Sequence, residues 1–302
     1  MVVVTLTSDF GTRDAYVAEL KAAVLSLTRE VQLVDVTHEI APHDVAAGAL
    51  ALEAAAPWFP PGSVHLAVVD PGVGTARRGL VLASGDHFFV GPDNGLFTPF
   101  LAGGGWEAFE LVAASDRRPG VSATFHGRDV FAPAAARLAR GAAPRDLGPP
   151  LADPVRLSWP EAEGRGGGLA GVVLHVDRFG NLITSIRAGA LAALGSSAAV
   201  RVRGRTLRVV SAYGDLKPRA AGALVGSAGR LEIAVREGSA AALLRARRGT
   251  PVLVSRSTTP RTGSTTAPGR RGTGRATRSM ARATRSMARG TRSMARASRR
   301  TR

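Results

Sequence analysis

VHLAVVDPGVGTARRG (Val64 to Gly79) is the stretch whose reading decides the fold. Val64 to Val69 is a short apolar run broken only by His65, and Asp70 closes it. Such a run reads as a buried strand. Ligands of α/β folds collect beyond the carboxyl ends of strands of this kind. Gly72 and Gly74 let the backbone turn sharply and approach a ligand closely. An acid at a strand end, two nearby glycines and then Arg77 and Arg78 describe a site as well as a turn.

Outward from this strand, apolar runs alternate with helical patterns. Val2 to Thr7 and Gln32 to Val36 read as strands. So do Gly79 to Ala83 and His87 to Val90, split by the hairpin signal Gly85-Asp86. Val17, Leu20, Val24 and Leu27 recur at helical spacing within Asp14 to Leu27. Asp44 is placed to cap a helix that runs to Ala55 and stops at Pro57, and another helix is predicted from Asp129 to Arg140, ending at Gly141. Strands alternating with helices predict an α/β layer structure with a mainly parallel sheet.

Gly141 to Gly168 is rich in Pro and Gly and lacks sustained periodicity. Beyond it come short predicted strands, Gly171 to Val176, Ala199 to Val202, Thr206 to Ser211, Arg230 to Val235 and Pro251 to Val254, with one helix at Ser239 to Arg247. That pattern predicts a smaller β-barrel-like domain. The expected organisation is an N-terminal α/β domain over 1–160, a linker over 161–168, a C-terminal β-rich domain over 169–255 and a basic tail over 256–302.

The net charge of +17 belongs mostly to that tail, whose 14 arginines, with no lysine and no acid, account for all but +3 of it. The tail repeats ATRSMAR at 276–282 and 283–289 and GTRSMAR at 290–296. One Met and one or two Ala per repeat bury too little surface to offset ordering entropy, so disorder is expected. The alternative is an arginine-rich arm that contacts nucleic acid nonspecifically, without aromatic residues for base stacking. The chain has no cysteine, which excludes disulfides and thiolate chemistry and suits a reducing compartment. The start lacks a basic leader pattern, and no apolar run is long enough to span a bilayer. A soluble cytoplasmic protein is expected, with no membrane partner.

Five further motifs accompany Val68 to Gly79. They are TLTSDFGTRDAYV (Thr5 to Val17), DVTHEIAPHDV (Asp35 to Val45), VGPDNGLFTP (Val90 to Pro99), TFHGRDVFAP (Thr124 to Pro133) and VDRFGNLITSI (Val176 to Ile186). With these in order from about Val2 to about Val254, the chain resembles the S-adenosyl-L-methionine (SAM) hydroxide adenosyltransferases, also called SAM hydrolases. These are relatives of the SAM-dependent fluorinases and chlorinases. The resemblance implies a catalytic N-terminal domain and an adenosyl-binding C-terminal one. It implies hydrolysis of SAM to adenosine and L-methionine by water or hydroxide attacking ribose C5′. SAM is then the substrate, with no cofactor and no metal. The resemblance also implies a homotrimer with sites between subunits.

The chemistry asks for a prepared nucleophile, since the sulfonium is already a good leaving group. A cation beside a polar base stabilises hydroxide character and holds it on the attack line. Asp70, Arg77 and His126 supply those groups, and the resemblance gives their counterparts that role. Singly, they also read as a turn acid, a loop charge and a core histidine. Arg128 and Asp129 read as a structural pair at a helix start. By resemblance Asp9 takes the ribose hydroxyls, its other reading being a helix cap, and His43 lines the ribose side. Asp177 takes the methionine ammonium, Asn181 the adenine edge, Tyr213 an adenine face and Ser227 the methionine carboxylate. Phe179 joins the substrate-binding set; it and Tyr213 equally read as core, and Ser227 as a turn residue. Pro92 to Gly95 reads as structure near the site. Thr37 to Glu39 and His43-Asp44 match no zinc spacing and read as caps or pocket lining. Four of the acids and histidines, Asp9, Asp70, His126 and Asp177, pose the rival reading of a metal-dependent phosphohydrolase. The halogenating relatives tend to carry tyrosine at the position of Asp70. A carboxylate there repels halide and suits water, which leaves a halogenase-like activity, or SAM binding without turnover, as alternatives.

Overall fold

A computed structural model of the chain describes residues 1–112, 121–195 and 198–256. Its first sheet holds β1 (Val2–Ser8), β2 (Val31–Thr37), β3 (Val64–Val68), β4 (Gly79–Ser84), β5 (His87–Pro92) and β6 (Trp106–Glu110) in the order β2-β1-β3-β5-β4-β6. Strands β2, β1, β3 and β5 run parallel, and β4 runs antiparallel to both β5 and β6. The quoted opening strand therefore lies centrally, and every residue of β3 is buried.

Alternate residues of β3 feed opposite layers, as the two-residue period of a strand requires. Val64, Leu66 and Val68 pack with Leu20 and Val24 of α1 (Tyr16–Leu25) and with Ala134, Ala135 and Leu138 of α3 (Ala132–Ala139). Ala67 and the following Val69 pack with Ala49 and Leu52 of α2 (Val45–Ala55) and with Phe89. Each fully buried Leu or Val contributes about 1.5–3 kcal/mol, so both helical layers are held mainly by these faces. Asp44 caps α2 as expected, its carboxylate accepting the Ala47 N–H at 3.0 Å.

The helix predicted from Asp129 begins differently. Gly127–Phe131 forms a π turn, in which the Ala132 N–H reaches the Gly127 carbonyl, and α3 starts only at Ala132. Pro133 lacks the N–H that an α-helix would close onto the Asp129 carbonyl, so the α ladder cannot run unbroken here.

In the second sheet the named strands pair antiparallel. It holds β7 (Glu163–Arg165), β8 (Gly168–Val176), β9 (Leu182–Arg187), β10 (Ala198–Val202), β11 (Arg205–Arg208), β12 (Ala221–Val225), β13 (Arg230–Val235) and β14 (Pro251–Arg256). The order is β11-β10-β14-β8-β9-β13-β12, with β7 beside β8. β8 pairs with β14 through its first half and with β9 through its second, the register shifting between Val173 and His175. A bridge from Val209 to Ala223 draws the two outer strands together, so the sheet is a nearly closed barrel around Val173, Leu182, Ile186, Leu231, Ile233 and Val252.

Four strands are absent from the sequence expectation: β6, β7, β9 and β12. β7 falls inside the stretch expected as linker. The helix expected at Ser239 to Arg247 is shorter, α5 (Ala240–Leu244), after α4 (Ala188–Ala192); left-handed Arg245 (φ 49°) ends it. No helix among the described residues is long and apolar enough to cross a membrane. The repeat tail, from 257 onward, lies outside the described residues.

Candidate active site

Asp70 lies just past β3, and its loop folds back on itself: its carbonyl accepts the Val73 N–H, and the Gly72 carbonyl accepts the Thr75 hydroxyl at 2.7 Å. Gly74 has φ +78°, and a Cβ there would stand 2.7 Å from the Ala123 carbonyl. Only glycine tolerates both conditions, so Gly74 brings the loop carrying Arg77 against the segment carrying His126.

Arg77 clamps Asp70 with two parallel bonds, Nε to Oδ1 at 2.9 Å and Nη2 to Oδ2 at 2.5 Å. The same Nη2 lies 3.0 Å from His126 Nδ1, while Nη1 donates to the Arg78 carbonyl at 3.1 Å. Only 12% of the Arg77 side chain and 5% of Asp70 are exposed, so the pair works in a medium of reduced dielectric, where charge-assisted bonds are strong. Phe131 lies 5.0 Å from the guanidinium carbon. A guanidinium has no acceptor, so His126 Nδ1 accepts, and the neutral ring carries its proton on Nε2. The three residues therefore form one connected unit.

Their neighbours are structural. Arg78 turns away to Asp93 and Asp153, at 2.7 and 3.0 Å, and Asp93 also accepts the Val155 N–H. The Asn94 amide donates to the Val69 carbonyl at 2.8 Å, fixing the strand end from which Asp70 projects. Arg128 pairs with Asp129 and Glu19, matching the structural reading of that dipeptide. Phe10, Tyr16 and Phe125 form an aromatic trio beside His126, with ring centroids 5.5–6.0 Å apart, which sequence reading did not single out.

At the end of β1, four bonds staple the turn at 8–12 to the loop at 38–43. Ser8 Oγ meets His38 Nδ1 at 2.7 Å, the Gly11 N–H donates to the His38 carbonyl at 2.7 Å, and Thr12 donates to Glu39 at 3.0 Å. The fourth is the His43 N–H, which donates to Asp9 Oδ2 at 2.8 Å from a left-handed backbone (φ 68°). Asp9 is thus oriented by a backbone donor. It does not cap α1, which has no side-chain cap. His38 spends its second nitrogen near Asp35, at 3.1 Å. Among the described residues, no group of three or more His, Cys, Asp or Glu could hold a metal ion.

The remaining candidates line a cleft of about 1270 Å³ between α2 and the barrel. Asp177, Phe179, Asn181, Tyr213 and Ser227 all face it. Asp177 shapes the β8–β9 turn: Oδ1 accepts the N–H groups of Phe179 and Asn181, and Oδ2 accepts the Asn181 amide at 3.0 Å. That turn holds Phe179 out with 76% exposure, so it is not core. Tyr213 donates to Glu232 at 2.5 Å. Burial, that bond and the charges of Glu232 and Asp177 all push the phenol above its usual range. Asp9, His43, Asp70, Arg77 and His126 are not among the cleft-lining residues.

Sequence reading also missed Glu53, Arg230 and Glu232, all on the cleft wall. Arg230, 2% exposed, makes a two-pronged pair with Glu53 of α2, and Arg187 joins the same carboxylate at 2.7 Å. Arg248 pairs with Asp44 at the other end of α2. Burial raises the Asp44 carboxyl, but the Arg248 and Ala47 hydrogen bonds and the Arg248 charge outweigh it and hold it below the usual range.

Comparison with known proteins identifies the family. Residues 4–148 match the model of the SAM hydroxide adenosyltransferase N-terminal domain, and residues 171–253 that of its C-terminal domain. The (R)-S-adenosyl-L-methionine hydrolase of Salinispora tropica is 43% identical over 249 residues, covering 80% of this chain and 93% of that protein. Its namesake in Thermus thermophilus is 44% identical over 256 residues, covering 81% and 96%. A fluorinase of an Actinoplanes species is 32% identical over 216 residues, covering 61% and 71%. A crystal structure of an uncharacterized conserved protein from Thermotoga maritima superposes with a TM-score of 0.79 at 32% identity, covering 84% of this chain and all of that one. With both of its parts matched by the family models, the chain belongs to the SAM hydroxide adenosyltransferase family.

Proposed function

We propose that this chain hydrolyses S-adenosyl-L-methionine to adenosine and L-methionine. The observation that carries the reading is the connected Asp70, Arg77 and His126 unit at the end of a central parallel strand. Hydroxide, or water that gives up a proton to solvent, attacks ribose C5′, the C5′–S bond breaks, and its electron pair stays on sulfur as the neutral thioether of methionine. The protein's task is to prepare and aim the oxygen nucleophile. Arg77 supplies a buried positive charge, Asp70 holds its fork in one orientation, and the same fork fixes the His126 ring through Nδ1. Such fixed donors act without reorganisation at the moment of reaction, and each contributes on the order of 10²–10³ in rate. Asp9 takes the ribose hydroxyls, with its carboxylate turned by the His43 N–H. In the cleft, Asp177, Asn181, Tyr213, Phe179 and Ser227 take the adenine and methionine ends.

The catalytic unit and the cleft residues belong to different parts of one chain. That separation supports a site built from the unit of one subunit and the cleft of the next, as in a homotrimer. Mixing inactive Arg77→Ala with inactive Asn181→Ala chains tests this. Activity regained on mixing is expected, and none regained refutes a shared site.

Hydrolysis itself is tested by incubating pure protein with SAM in water enriched in heavy oxygen, without metal or halide. Heavy oxygen at the 5′ position of adenosine is expected. Adenosine formed only after addition of a divalent metal would refute the metal-independent reading. A chlorinated nucleoside on adding chloride would favour the halogenase alternative, against which the Asp70 carboxylate argues. Turnover in the presence of a chelator is expected, SAM being substrate and no cofactor being used. A cytoplasmic location completes the proposal, and fractionation tests it; deletion of 256–302 tests the alternative that the arginine repeats contact nucleic acid.

A further inference from the structure

Strand β13 carries two buried charges on one face. Arg230 and Glu232 alternate with Leu231, Ile233 and Val235, which belong to the barrel core, and both charged residues line the cleft. Their situations differ. Arg230 is matched by the Glu53 carboxylate through three contacts. Glu232, only 6% exposed, has the Tyr213 hydroxyl as its side-chain hydrogen-bond partner and, among the described residues, no cation within ion-pair distance. Arg236, the other arginine on the cleft wall, is engaged by the Gly214 and Leu216 carbonyls and by Glu237.

A buried carboxylate without a cation is costly unless a ligand supplies the charge. The environment of Glu232 increases that cost. Burial raises its carboxyl above the usual range, the Tyr213 bond opposes this, and the nearby Asp177 charge adds to the rise. Ser227 sits on the adjoining turn, where a Cβ on Gly226 would stand 2.5 Å from Glu232 Oε2. This corner of the cleft therefore combines two carboxylates with a hydroxyl, a setting for a compact cation carried by a polar ligand.

We propose that Glu232 binds the α-ammonium group of the substrate, acting as its fixed counter-charge beside Asp177. The inference rests on the hydrolase reading for the identity of the ligand. It adds a specificity residue: the cleft selects the amino-acid end by charge, and adenosine alone does not use Glu232.

The test is calorimetric titration of wild type and Glu232→Gln with SAM and, separately, with adenosine. Gln keeps the shape and an acceptor for Tyr213. The expected result is a Kd for SAM raised about 10-fold or more, with the adenosine Kd unchanged. An unchanged Kd for SAM overturns the proposal. So does an equal loss for both ligands, which would place Glu232 at the adenine. Should the amide variant fail to melt cooperatively, Glu232→Asp is titrated instead; a threefold or greater rise for SAM alone is expected, and none overturns the assignment. The readout is binding, so failure of wild type to form adenosine would refute hydrolysis while Glu232 is still judged by the titrations.

Discussion

Arg77→Lys is the most searching substitution for the proposed mechanism, because it keeps the charge and removes the fork. Arg77 makes two bonds to Asp70, one to His126 and one to the Arg78 carbonyl. A lysine ammonium on its flexible stem can replace one contact to Asp70 but not both together with His126. Hydrogen bonds to charged groups contribute about 1.5–3 kcal/mol each, so losing two costs roughly 3 kcal/mol at the low end. For a chain of this size that lowers Tm by about 6–12 °C. The catalytic loss is separate. If Arg77 fixes the tautomer of His126 and stabilises hydroxide, kcat falls about 10²–10³-fold while KM for SAM changes little. Adenosine formation followed by chromatography, at a temperature where the variant is fully folded, gives both constants. A lowered Tm with kcat within threefold of wild type would refute the reasoning, leaving the pair as a structural clamp.

Three other outcomes are expected. His43 acts on Asp9 through its backbone N–H at φ 68°, so His43→Gly should keep KM for SAM within about threefold, while His43→Val, strained in that conformation by about 1–2 kcal/mol, should raise it more; equal effects in steady-state assays would assign the role to the imidazole. Glu53→Gln strips buried Arg230 of its counter-charge and should cost roughly 3 kcal/mol in urea unfolding, whereas Arg187→Ala, on the half-exposed partner, should cost under about 1 kcal/mol. His65 is held neutral, its pKa lowered to about 3 by burial and by His87. The unfolded chain then binds the proton first as pH falls. Stability should drop on the order of 1 kcal/mol per pH unit from about pH 6 toward pH 4, and His65→Phe should flatten that slope in denaturant titrations.

The sequence was most legible where chemistry and periodicity coincide. Val64 to Val69 reads as a central strand because consecutive apolar residues in so short a run leave little else, and Asp44 reads as a cap from its place before an Ala- and Leu-rich segment. Asp70, Arg77 and His126 each stand in a long motif, and the structure joins them in one bonded unit. The strands that escaped did so for physical reasons. Thr184 and Ser185 interrupt β9 yet are wholly buried, and Ala-Gly-Ala at the start of β12 carries no β propensity. Edge strand β6 reads Trp-Glu-Ala-Phe-Glu, without the two-residue alternation of a strand, and needs β4 to be recognised. Glu53 and Arg230 stand 177 residues apart, so no local pattern joins them. Glu232 was invisible as a site because its meaning lies in the partner that Arg230 has and it lacks.

The π turn at Gly127–Phe131 makes the aim of His126 a question of chain length. Helix α3 downstream is locked in place by Ala134, Ala135 and Leu138 in the core, so it cannot rotate to absorb a missing residue. Each residue of an α-helix advances the chain by 1.5 Å and turns it by about 100°. Removing one residue from the π turn would swing His126 by about that angle, off the Arg77 fork. Here a change of count would do what few changes of residue type could, and the irregular turn is the spacer that sets the direction of a side chain.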